Sequence, residues 1–177
     1  MNLCSRMVVL AVAALCGAGG AGAAELSARL QPLRGLVGKT WRGTISPAGA
    51  AKAAVDVQRW EEALNGQAVR ITHSVNDGEY GGESLVVWDK DQQSLVFTYF
   101  TTADFYTTGT ARTDGDALVT LENVKGDADG ITQVRGTTRL TADGKMHVHT
   151  EYLKKGAWVE GRNADYVEAK DAVVKFR

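Results

Sequence analysis

Cysteine is almost missing from this chain, and its two copies, Cys4 and Cys16, fall at the extreme N-terminus. Once a leader peptide is removed no thiol remains, which excludes disulfides, thiolate nucleophiles and cysteine-ligated metals. Long apolar runs are missing too. The most extended, Met7 to Leu15, is about nine residues, far short of the roughly 20 that a membrane-spanning helix needs, so stable membrane insertion is not expected. Nor is there an excess of charge of one sign. Lys and Arg number 20 against 21 Asp and Glu, with both signs scattered along the chain, which argues against nucleic acid or an anionic membrane surface as a partner. No Gly-rich phosphate loop follows a strand-like run, and neither Ser46 nor Ser74 sits in a nucleophile elbow. Nucleotide binding and serine hydrolysis are therefore disfavoured.

What is present begins with an address. Arg6, the apolar run and a small-residue stretch ending Ala21-Gly22-Ala23-Ala24 have the form of a secretory signal peptide over residues 1–24. A bulky Leu15 ahead of Cys16 argues against lipid attachment. The expectation is a secreted or periplasmic protein with one domain, residues 25–177, large enough to bury a core without covalent staples.

Seven turn signals punctuate residues 60 to 160: Asn65-Gly66, Asp77-Gly78, Asp89-Lys90-Asp91, Asp114-Gly115-Asp116, Asp129-Gly130, Asp143-Gly144 and Lys155-Gly156. Asn-Gly and Asp-Gly tolerate the positive φ of two-residue hairpin turns, so the chain folds back on itself repeatedly. Strands are expected at 41–45 and near 54–62, 67–76, 82–89, 94–102, 105–113, 117–124, 131–141, 145–153 and 157–168, with a closing piece at 173–176. A short helix over 25–37, frayed by Pro32 and Gly35, precedes them, and a loose loop follows at 46–51. A Greek-key sandwich would need a long connection, and an open sheet would leave two edges exposed. The reading is all-β: a closed antiparallel up-and-down barrel of about 8–10 strands with a short N-terminal helix.

Leu36-Val37-Gly38-Lys39-Thr40-Trp41-Arg42-Gly43 resembles the opening of calycin barrels, in which a short helix runs into a Gly-x-Trp strand; here the spacing is one residue longer. The superfamily includes lipocalins, fatty-acid-binding proteins and nitrobindin-like haem barrels. The stretches His73 to Asp89 and Tyr99 to Gly109 are similar to secreted bacterial calycin-like proteins that lack an assigned activity. The resemblance implies a ligand-binding role and transfers no catalytic residue. It brings haem into consideration, but nitrobindin-like relatives hold the iron with a histidine near the barrel's end, and residues 158–177 contain none.

Strand alternation sorts the residues that could carry chemistry. Val69, Ile71, His73 and Val75 share one face, which points His73 inward, either as a structural histidine or as the group that holds a ligand's polar end. Phe97 and Tyr99 share the face of Leu95, with Phe100 on the other. His147, His149 and Glu151 have a spacing of about 6.8 Å that metals can use. The opposite face, with Met146, Val148, Thr150 and Tyr152, is more apolar, so the histidines are expected in solvent. Arg59 shares a face with Val57 and could reach inside as an anion clamp, or be turned outward by a bulge near Trp60.

The expected function is binding of a small, largely apolar ligand inside the barrel, with His73, Tyr99, Arg59, Phe97 and Tyr152 as ligand-binding residues. Two alternatives stand beside it. One is a barrel enzyme with His73 as general acid or base; the other is a filled structural or interaction barrel. A cavity beside His73 separates the first two from the third. A second titratable group within about 3.2 Å of His73 is what the enzyme requires.

Overall fold

In the computed structural model the described residues are 25–47, 53–126 and 128–177. The expected leader lies outside them, as does most of the expected 46–51 loop. Ten strands run β1 (Thr40–Pro47), β2 (Ala54–Ala63), β3 (Ala68–Val75), β4 (Tyr80–Asp89), β5 (Ser94–Thr101), β6 (Phe105–Asp114), β7 (Ala117–Gly126), β8 (Ile131–Leu140), β9 (Met146–Lys154) and β10 (Ala157–Glu168). Each pairs antiparallel with its sequence neighbours, and β1 pairs with β10 to close the barrel. The turn chemistry is as expected. Asn65, Gly66, Asn76, Asp77, Gly78 and Asp129 all take positive φ.

Two details differ. The N-terminal helix is a single 3-10 piece, Ala28–Leu33, with Pro32 inside it and a turn through Gly38. The 173–176 segment forms no strand, because β1 and β10 already satisfy each other and leave no edge. It lies instead across β3, where the Lys175 backbone N–H donates to Ser74 Oγ at 3.0 Å and Phe176 approaches Gly81.

The interior divides into two parts. At the end where β1 begins, the 3-10 helix drives Leu26, Leu30, Leu33 and Leu36 into a core with Trp41, Trp60, Val69, Val86, Leu95 and Met146. Leu30 and Leu33 are at most 1 % exposed, so this end is plugged. The opposite end, beneath the β3–β4, β5–β6, β7–β8 and β9–β10 turns, is not filled. Two inward glycines make room there. A Cβ on Gly82 would sit 2.4 Å from the Tyr99 ring and one on Gly109 2.7 Å from the Phe97 ring, so each aromatic lies flat across a neighbouring strand.

Candidate functional site

The unfilled end is a cavity of about 250 Å³, lined by His73, Tyr80, Phe97, Tyr99, Phe105 and Tyr152 and floored by Gln58, Glu122, Thr150 and Arg162. A deeper chamber of about 160 Å³ shares Gln58, Phe97, Glu122 and Arg162 and ends on Leu33 and Trp60. Of the residues the sequence singles out, His73, Phe97, Tyr99 and Tyr152 converge here.

The alternation on β3 sends His73 inward as expected, and β2 supplies its partner. His73 Nδ1 lies 2.9 Å from Asp56 Oδ1, and the other carboxylate oxygen accepts from Gln58 Nε2 at 3.0 Å and Tyr166 Oη at 2.8 Å. Burial pushes the Asp56 carboxyl up, but the His73 bond and charge, with the Gln58 and Tyr166 bonds, outweigh it and hold the group below its ordinary value. Asp56 is therefore an ionised acceptor at neutral pH. On the other side, His73 Nε2 is 2.7 Å from Tyr99 Oη, which is 2.7 Å from Tyr80 Oη. Burial raises both phenols, Tyr99 far above its usual range, so both remain hydroxyls. The Tyr80 ring stacks on Phe105 at the rim.

The charge that faces this chain is Arg162. Register on β9–β10 shifts between Glu160 and Asn163, and the extra residue reverses the faces of β10. Before the bulge, Trp158 lies outside against Arg135 and Glu160 against His149. After it, Asn163 and Asp165 face out to His149 and His147, while Ala164 and Tyr166 are buried inside. Thr150 clasps the bulge, its Oγ1 accepting from the Arg162 N–H at 2.9 Å and donating to the Arg162 carbonyl at 3.2 Å. The guanidinium makes no hydrogen bond or ion pair with a described residue. Burial works against its charge, but Tyr152, Tyr166, Tyr99 and Asp56 raise its pKa and keep it protonated. Glu122 is the remaining carboxyl. It accepts from Thr107 Oγ1 at 2.6 Å, and burial raises its pKa in spite of that bond and of Arg162.

Arg59 is elsewhere. Its Nε meets Glu61 at 3.2 Å and its Nη1 the Thr40 hydroxyl at 3.1 Å, on the outer face. The β2–β3 register is continuous through Trp60, so no bulge turns it. The inward set on β2 is Asp56, Gln58 and Trp60, a face whose two polar members disguise it as solvent-facing. His147 and His149 are exposed, each tied to its own partners on β10. Among the described residues no group of three or more His, Cys, Asp and Glu could hold a metal ion. Haem does not fit these residues either: the one inward histidine has both ring nitrogens committed, to Asp56 and Tyr99.

No family model matches the chain, and no curated protein matches it by sequence. Solved structures do. One is the crystal structure of Rv2717c from M. tuberculosis, with a TM-score of 0.62 and 12% identity over 82% of this chain and 99% of that one. The likeness is one of fold. It supports the closed barrel and says nothing of the cavity's occupant.

Proposed function

We propose that this protein binds a small molecule inside its barrel, with an anionic oxygen head held at Arg162 and an apolar body along Phe97 and Ile71 toward Val86 and Leu118 of the deeper chamber. The observation that carries this reading is an unpartnered guanidinium facing a cavity lined by aromatic rings. A guanidinium whose donors are open to a cavity favours an entering carboxylate, which supplies the bidentate acceptor that its fork matches. The leader expected at residues 1–24 would place this capture outside the cytoplasm.

Titration calorimetry with decanoate and 2-naphthoate, against their neutral amides, tests it. The carboxylates should bind and the amides should bind much more weakly. Arg162→Gln should weaken carboxylate binding by roughly ten- to a hundredfold, the scale of a lost charge-assisted hydrogen bond, while Arg59→Gln leaves it within about twofold. Equal effects of the two substitutions would sink the assignment.

Acid–base catalysis is favoured by one contact, the 2.9 Å approach of Asp56 to His73, which meets the requirement for a second titratable group. Binding accounts for more of the site. His73 Nε2 is already covered by Tyr99, so the imidazole presents no free nitrogen to a substrate.

A further inference from the structure

The chain Asp56–His73–Tyr99–Tyr80 contains a countable number of hydrogens, and the count decides what the cavity offers a ligand. Asp56 accepts three hydrogen bonds as a carboxylate, so the proton of the Asp56–His73 contact sits on Nδ1. Two contacts remain, Nε2 to Tyr99 and Tyr99 to Tyr80, both 2.7 Å. With His73 neutral, Nε2 is a lone pair. Tyr99 must donate to it, Tyr80 must donate to Tyr99, and both hydroxyl hydrogens are consumed. The pair then shows the cavity only oxygen lone pairs. With His73 protonated, three hydrogens serve the same two contacts, and one O–H is left to point at the ligand.

Building on the binding reading above, we propose that the Tyr80–Tyr99 hydroxyl pair is the second contact to the ligand's carboxylate, beside Arg162. It becomes a donor only when His73 gains a proton, so capture of the anion takes up a proton. A carboxylate approaching the neutral chain meets like-signed lone pairs; one approaching the protonated chain meets a donor. The groups that face the relay are Asp56 and Gln58 from β2, Tyr80 from β4, Tyr99 from β5, Glu122 from β7, Tyr152 from β9, and Arg162 and Tyr166 from β10. Arg162 is charged throughout and Tyr80, Tyr99 and Tyr166 stay hydroxyls, which leaves His73, on which the hydrogen count turns, and the carboxyl of Glu122. They act with the same sign, because protonating either makes the cavity more positive.

The test measures decanoate binding by calorimetry at about pH 7.5 in two buffers of different ionisation heat. The expected result is uptake of about one proton per ligand, with affinity rising about tenfold per unit as pH falls. Glu122→Gln should keep that uptake. Tyr99→Phe, which removes the bridging oxygen and leaves the imidazole, should reduce it to less than half. Should Tyr99→Phe fail to fold, ring-nitrogen NMR of His73 in the unaltered protein replaces it: saturation with decanoate must convert the neutral pattern to the charged one. Decanoate binding without proton uptake overturns this proposal and leaves the binding function standing. Failure of decanoate and 2-naphthoate to bind at any pH overturns the function itself, and this with it.

Discussion

Glu122 shows how one residue tells whether the cavity is dry. Its carboxyl accepts one hydrogen bond among the described residues, from Thr107, and burial raises its pKa. A folded-state pKa above the unfolded value contributes stability that is fully present below the unfolded pKa and lost as pH rises through the folded one. Removing the titration should therefore help most at high pH. Thermal melts of Glu122→Gln and the unaltered protein should differ little near pH 4 and diverge in favour of the variant by pH 8; a constant offset would show that Glu122 is solvated. Asp56 has the opposite sign, its depressed pKa giving stability that disappears only as pH falls below the ordinary carboxylate range. Neither residue stands out in the sequence. Asp56 and Gln58 look like a solvated face of β2, whereas His73 is legible because its neighbours Val69, Ile71 and Val75 are all aliphatic.

At the scale of elements, the hairpins are written in plain chemistry and the bulge is not. Every expected strand from Trp41 to Glu168 is present, because Asn-Gly and Asp-Gly turns and strict alternation agree with each other. Alternation alone carries Arg162 to the face of Trp158 and Glu160, outside the barrel. Only Gly161, a glycine within a strand, signals otherwise. A Cβ there would stand 2.7 Å from both the carbonyl oxygen and Oγ1 of Thr150, so the bulge and its clasp require glycine. Gly161→Ala should cost about 1–3 kcal/mol in urea denaturation, the usual scale of overpacking. It should also weaken decanoate binding, since shifting the clasp moves Arg162. A variant with full stability and full affinity would show that the bulge does not depend on this glycine.

For the whole molecule, closure by β1 and β10 and the leucine plug together decide what can enter and how far. One end is sealed by Leu26, Leu30, Leu33 and Leu36, so a ligand of the proposed kind would enter beneath the turns at the other and run past Arg162 toward the deeper chamber. Leu33 is the stop at the bottom of that chamber. With the head fixed at Arg162, each added methylene should gain about 0.8 kcal/mol until the chain meets Leu33, after which affinity should stop rising. Leu33→Ala removes three carbons from that stop and should cost about 2–5 kcal/mol of stability through the void it leaves. In return, a series of unbranched carboxylates should reach its plateau two or three methylenes later in the variant than in the unaltered protein. Saturating such a longer carboxylate should recover part of the lost stability, because a ligand that fills the void binds only the folded barrel. If the plateau does not move, the ligand's tail does not run toward the plug, and the deeper chamber belongs to the packing of the barrel rather than to its cargo.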